Sequence, residues 1–206
     1  MTTRITGITA KDVAELRART GAGMMDCKKA LEESGGDLEK AVDYLRKRGI
    51  AKADKRAGRE VKEGQITSYI HHNGKVGVLV EVNCETDFVA RTDEFKQLAR
   101  SIAEHVAAGV PAVALAVGKE QVPADRVARE REIFTEQARA SGKPDNIVAK
   151  MVEGRVEKYY QEVALLEQPW VRDDKKTIGD LVKEASAKTG ENISVRRFVR
   201  FQMGEE

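Results

Sequence analysis

The chain has 206 residues, of which 41% are hydrophobic and 34% charged, and its 36 basic and 34 acidic side chains leave a net charge of +2. This composition is typical of a globular protein with one medium and one small domain. The small net charge excludes a strong overall attraction to nucleic acid or anionic lipid. No run approaches the roughly 20 apolar residues that a membrane-spanning helix needs, and we therefore expect a cytoplasmic protein.

The first 50 residues predict three short helices, each closed by glycine. Thr9 and Asp12 have the spacing of a capping box at the start of the first helix. The second helix is predicted from about Met24 to Ser34, and the third is predicted to follow Asp37 and to end at Gly49. Because three such helices enclose only a small core, we expect this unit to bind a partner.

A basic segment follows the three helices. Seven basic residues and one acidic residue lie between Arg46 and Arg59. We place the domain boundary here, which predicts an N-terminal domain at residues 1–50, a basic linker at 51–62 and a core domain at 63–206. Clustered Lys and Arg side chains are compatible with a nucleic-acid or ribosomal contact, but no aromatic residue is interleaved for stacking. The segment is also compatible with a solvated helical linker, which we favour.

The core domain begins with a predicted hairpin at residues 64–84. Valines recur at every second position from Val76 to Val82, as in a strand with one apolar face. Asn73-Gly74 predicts a tight two-residue turn. Residues 193–201 alternate in the same way, so the C-terminus is predicted to add a third strand.

Helices account for most of the remaining core. They are predicted at residues 92–108, 123–142, 145–167 and 177–190, with the second and third forming a helical hairpin. The predicted fold class is therefore α+β: a three-helix N-terminal domain, then a core domain with a three-stranded antiparallel sheet and several helices.

No feature of the sequence points to a metal, a cofactor or covalent catalysis. Cys27 and Cys84 lie far apart and in no zinc-binding spacing, so we interpret both as buried or inert thiols. His71 and His72 would point to opposite faces of a strand, and no third ligand is near. The motifs of serine hydrolases, P-loop proteins and zinc proteases are absent. We therefore expect that the protein is not an enzyme.

The junction between the valine strand and the helix at Thr92 holds Asn83-Cys84-Glu85-Thr86-Asp87-Phe88-Val89. It combines a carboxylate and a large aromatic on a short connection, where binding residues are commonly placed. The residues alone leave two interpretations open: Phe88 and Val89 bind a partner, or they are core residues at a helix entry.

Three stretches carry a resemblance to a known family. Residues 20–31 (TGAGMMDCKKAL) and 82–90 (VNCETDFVA) resemble the two signature stretches of the elongation factor Ts family, and residues 190–197 (GENISVRR) are also similar to it. The resemblance implies a nucleotide exchange factor for elongation factor Tu, the GTPase that carries aminoacyl-tRNA to the ribosome. It also implies a ubiquitin-associated-like N-terminal domain. Many members are longer and have a second sheet subdomain, so the short form implies a homodimer.

The resemblance also implies roles for individual residues. Thr86, Asp87, Phe88 and Val89 match the Thr-Asp-Phe-Val motif, which wedges its aromatic ring into an apolar pocket of elongation factor Tu near the magnesium site. Additional partner contacts are expected at Met24, Met25, Asn83 and Glu85. No direct contact with nucleic acid is expected. The competing hypothesis is an adaptor whose three-helix domain and basic linker bind nucleic acid or another protein.

Overall fold

The computed structural model describes residues 8–205. Its contacts form two compact units. One contains the residues up to Glu60 together with Lys183–Ile193, and the other contains Val61–Val182 together with Ser194–Glu206. The division into domains at residues 1–50, 51–62 and 63–206 stays a prediction.

The first unit contains the three predicted helices: α1 (Ala10–Thr20), α2 (Met24–Glu33) and α3 (Leu38–Asp54). The capping box of α1 is confirmed, since the Asp12 amide donates to the Thr9 hydroxyl and the Thr9 amide donates to the Asp12 carboxylate. The small core consists of apolar residues from all three helices: Val13, Leu16, Cys27, Ala30, Leu31 and Ala41.

The prediction that α3 ends at Gly49 is wrong, because the helix continues to Asp54. A Cβ at Gly49 would lie 3.0 Å from the Cβ of Ala187. Ala187 belongs to the last helix, α8 (Ile178–Thr189). The glycine therefore permits close packing of two helices and does not terminate one.

The basic segment is held against the part of α8 that belongs to the same unit. Arg46 pairs with Glu184 at 3.2 Å, and Lys183 pairs with Asp54 at 2.9 Å. Arg56 donates to a backbone carbonyl of α8 at 3.2 Å. Two of the seven basic side chains of the segment, and its acidic side chain, are thus engaged in these contacts within the unit.

The second unit is built on the predicted three-stranded antiparallel sheet, which is confirmed. Its strands are β1 (Glu63–Ile70), β2 (Val76–Cys84) and β5 (Ile193–Gln202), in the order β1-β2-β5. Helix α5 (Asp93–Ala108), capped by Thr92 as predicted, packs on β1 and β2. The core between them contains buried residues of β2 and α5: Val78, Val80, Val82, Cys84, Phe95, Leu98, Ala99 and Ile102.

The hairpin turn differs from the prediction in length. Ile70 pairs with Gly77, and the His71 amide donates to the Val76 carbonyl at 2.9 Å, so residues 72–75 form a four-residue loop. His71 and His72 therefore follow the strand. The expectation that they point to opposite faces is wrong, since their ring centroids lie 4.2 Å apart.

Two helices form the predicted hairpin beyond the sheet, α6 (Ala124–Arg139) and α7 (Asp145–Val163). Its buried residues are Ala138, Val148, Val152 and Val156. Helix α7 ends at Val163, four residues before its predicted end at residue 167, and residues 165–167 form a 3-10 turn. Two short strands that were not predicted, β3 (Pro169–Trp170) and β4 (Asp173–Thr177), then lead into α8. None of the described helices is long and apolar enough to cross a membrane.

A buried polar network joins α5 to the segment after α7. His105 is fully buried, and its Nε2 lies 3.0 Å from the Gln168 side-chain oxygen, while the Val171 amide donates to its Nδ1. Because Nδ1 accepts, Nε2 carries the proton of a neutral imidazole. Burial lowers the pKa of His105 below its usual value of 6.5.

Candidate partner-binding site

The candidate site begins where β2 leaves the sheet. Cys84 is the last residue of the strand, and its buried thiol donates to the Thr86 carbonyl at 3.2 Å. Asn83 is half-buried, and its side-chain amide donates to the Glu63 carbonyl of β1 at 3.3 Å. Glu85 is also half-buried. The residues before the motif are thus held by the sheet.

The motif itself forms a single helical turn, α4 (Asp87–Ala90). Thr86 is its N-cap, and the Thr86 hydroxyl accepts from the Val89 amide at 3.4 Å. At the other end, the Thr92 hydroxyl donates to the Val89 carbonyl and the Gln65 side-chain amide donates to the Ala90 carbonyl, both at 2.8 Å. The predicted connection is therefore an ordered turn anchored at both ends.

Phe88 projects from this turn into solvent. Its side chain is 79% exposed, whereas Phe95, seven positions later, is fully buried. Within this chain Phe88 is therefore a surface residue, and the interpretation of Phe88 as a core residue is wrong. Val89 is half-buried and Ala90 is buried, so the rest of the turn packs against the protein while the aromatic ring does not.

Asp87 is oriented by a residue that the sequence analysis did not single out. Its carboxylate lies 2.6 Å from the Arg91 guanidinium, one helical turn later, and both side chains are substantially exposed. An exposed pair of this kind adds little stability, but it directs the carboxylate. The four-residue spacing is a signal that the sequence did contain.

Two further residues near the turn were also missed. Gly64 pairs with Asn83, has φ +146°, and leaves no room for a side chain, because a Cβ there would lie 2.2 Å from the Val82 carbonyl oxygen. Gln65, the next residue, reaches α4 from β1. No local pattern marks either residue, because each contact joins segments that are distant in the chain.

Met24 and Met25 lie in the other compact unit, at the start of α2. Their side chains are 59% and 76% exposed. They line an open groove of about 720 Å³ between α1 and α2, together with apolar residues of α1 and the basic side chains of Arg17 and Lys28. The groove is a suitable surface for an apolar contact, since methionine adapts its shape to a partner.

Comparison with known proteins identifies the family. The family described as "Elongation factor TS" matches residues 10–205. The chain belongs to the elongation factor Ts family. Elongation factor Ts of Fervidobacterium nodosum is 58% identical over 198 residues, which cover 96% of this chain and 99% of the relative.

Other members of the elongation factor Ts family are similarly close. That of Nitratidesulfovibrio vulgaris is 56% identical, with coverage of 97% of this chain and 98% of the relative. That of Thermosipho melanesiensis is 57% identical, with coverage of 96% of this chain and 100% of the relative. Family members of about this length therefore exist in several organisms.

Proposed function

We propose that this chain is a guanine nucleotide exchange factor that binds elongation factor Tu, disrupts its magnesium and phosphate site and promotes GDP release during translation elongation. The observation that carries the proposal is the exposed Phe88 ring on an anchored turn, in a chain of the elongation factor Ts family. The protein makes and breaks no covalent bond in this role. The role belongs to the cytoplasm, where translation takes place.

The mechanism follows from how a GTPase holds its nucleotide. Backbone N–H groups cradle the phosphates, and a magnesium ion bridges phosphate oxygens. Because Phe88 is 79% exposed in the free chain, burial of its ring in an apolar pocket of the partner would contribute about 1.2–2.4 kcal/mol. That free energy can hold a segment of elongation factor Tu away from the metal, while Asp87 adds a charge or hydrogen bond nearby.

Thermodynamic linkage explains how the exchange factor is released from elongation factor Tu after it has acted. A factor that lowers the affinity for nucleotide is itself bound less tightly when nucleotide is present. GTP or GDP rebinding would therefore expel the exchange factor. Because α4 is already ordered in the free chain, little of the docking free energy would be spent on ordering it.

We further propose a homodimer that forms through the outer face of the sheet. Ile66 and Ile70 lie on the side of β1 away from α5, and Leu79 pairs with Ser68 on the same side. Arg197 of β5 contacts Glu81 on this face. Because every second residue of a strand points to the same side, Val199 and Phe201 lie on this face as well. Five apolar side chains of this face are 40–68% exposed: Ile66, Ile70, Leu79, Val199 and Phe201. An exposed sheet face is usually polar, so this one is suited to cover its equivalent in a second copy.

Met24 and Met25 are proposed as additional contacts that contribute to partner affinity more than to nucleotide release, because they lie outside the unit that carries Phe88. Met25→Ser should then weaken binding to nucleotide-free elongation factor Tu in a titration. The maximal rate of GDP release at saturation should stay unchanged. A lower maximal rate with unchanged binding would contradict this assignment.

The adaptor hypothesis receives less support. In the basic segment, Arg46 pairs with Glu184, and Arg48 pairs with Asp26 at 3.4 Å. Arg56 is engaged by a backbone carbonyl. These guanidinium groups serve contacts within the chain, and we propose no direct contact with nucleic acid.

The test is release of labelled GDP from elongation factor Tu. Substoichiometric amounts of this protein should accelerate release with many turnovers per molecule, because the factor dissociates when nucleotide rebinds. An adaptor would bind without acceleration. Unchanged GDP release at every protein concentration would refute the proposed function.

A further inference from the structure

The single turn α4 depends on contacts from outside itself. A helix this short is not stable in water, because a few hydrogen bonds do not offset the cost of nucleation. The carbonyls at its C-terminal end also need partners. The Val89 carbonyl has a local partner in Thr92, but the Ala90 carbonyl accepts its 2.8 Å hydrogen bond from Gln65, which lies 25 positions earlier on β1.

Gln65 is well placed to act as a fixed anchor. It faces inward on β1 and pairs with Val82 in the antiparallel register. The preceding Gly64 brings β1 so close to β2 that no side chain fits between them. The side chain of Gln65 therefore leaves from a tightly packed part of the sheet, and its half-buried amide would be costly without a partner.

We propose that Gln65 is a positioning residue for nucleotide exchange, whose side-chain amide fixes α4 on the sheet and so sets the direction in which Phe88 is presented. This inference rests on the proposed function. When the hydrogen bond is lost, α4 opens more often, and the fraction of molecules with Phe88 ready to dock falls. The apparent efficiency of exchange falls with that fraction.

The test uses Gln65→Met, which keeps the length and most of the packing of the side chain but removes the donor. Thr67→Val is the matched control, because Thr67 is the next inward-facing residue on β1. Gln65→Met should slow stimulated GDP release by a factor that depends on how often α4 is open in this variant and that reaches at most about tenfold, the loss of one hydrogen bond of ordinary net strength. Thr67→Val should leave the rate of release unchanged.

A readout on the free protein separates positioning from general stability. The Ala90 amide donates to the Thr86 carbonyl and the Arg91 amide donates to the Asp87 carbonyl, so both hydrogen bonds report whether the turn at α4 is closed. Their hydrogen exchange should become about threefold to tenfold faster in Gln65→Met, while exchange in the middle of α5 should match that of Thr67→Val. Equal acceleration in α4 and α5 would overturn the inference.

A double-mutant cycle with Phe88→Ala decides whether Gln65 acts through the aromatic ring. Gln65→Met should have no further effect on GDP release in the Phe88→Ala background. Independent, multiplicative losses would overturn the positioning role. Slow release in Phe88→Ala with normal release in Gln65→Met would refute this inference alone, whereas normal release in Phe88→Ala would refute the proposed role of the turn and this inference with it.

Discussion

The substitution Phe88→Ala separates binding from folding because Phe88 is exposed. Since 79% of the side chain already lies in solvent, only about a fifth of the roughly 1.5–3 kcal/mol available from burying a large apolar side chain is gained on folding. The free energy of unfolding should therefore fall by only about 0.3–0.6 kcal/mol. The remaining four-fifths becomes available only when a partner covers the ring.

That remaining free energy sets the size of the functional effect. It amounts to about 1.2–2.4 kcal/mol, which corresponds to about an eightfold to sixtyfold loss in the rate of GDP release if it is fully expressed at the barrier. Binding to nucleotide-free elongation factor Tu should weaken in parallel. The assay pairs urea unfolding of the free variant with stimulated GDP release at a temperature where the variant is folded.

Phe95→Ala is the matched control, since it removes the same side chain from a fully buried position. It should cost about 3–5 kcal/mol of stability, and the molecules that stay folded should release GDP at a nearly normal rate. The reasoning would be refuted by the reverse pattern, in which Phe88→Ala unfolds at a much lower urea concentration than the parent protein but stimulates GDP release normally.

Three further predictions concern the fold and the assembly. Gly64→Ala should destabilise the protein by about 2–5 kcal/mol in urea unfolding, because φ is +146° and the new Cβ would overlap β2. Gly142→Ala, where φ is +68° but the new Cβ meets open space, should cost only about 1–2 kcal/mol. Because burial lowers the pKa of His105, the unfolded chain binds the proton first, and the stability that neutral His105 provides is present above pH 6.5 and is lost as the pH falls toward the folded pKa. The urea midpoint of His105→Gln should therefore decline less than that of the parent between about pH 7 and 5. Equal declines of the two urea midpoints would contradict this prediction. Sedimentation should give a dimer for the parent chain at micromolar concentration and a monomer for Phe201→Glu, and a monomeric parent would exclude the proposed dimer.

Local chemistry made much of the fold predictable from the sequence. The valine alternation in β2 was sufficient to predict a strand with one buried face, and the capping residues Thr9 and Thr92 correctly marked the starts of α1 and α5. The stretch at residues 82–90 pointed to the family that the comparison then confirmed. These features are predictable because hydrogen bonding and side-chain periodicity within a few residues determine them.

Burial and distant contacts required the tertiary structure. Gly49 has the local signature of a helix stop, yet α3 continues to Asp54, and the glycine lies where Ala187, far along the chain, packs closely against the helix. Phe95 begins an apolar stripe at helical spacing, so its inward position was predictable, whereas Phe88 lies on a short connection where no such pattern predicts burial or exposure. The contact from Gln65 to α4 likewise exists only because β1 folds back beside the end of β2. The sequence alone determined which segments form helices and strands and which residues are chemically suited to bind, whereas the meeting of distant segments decided which side chains are covered and which face a partner.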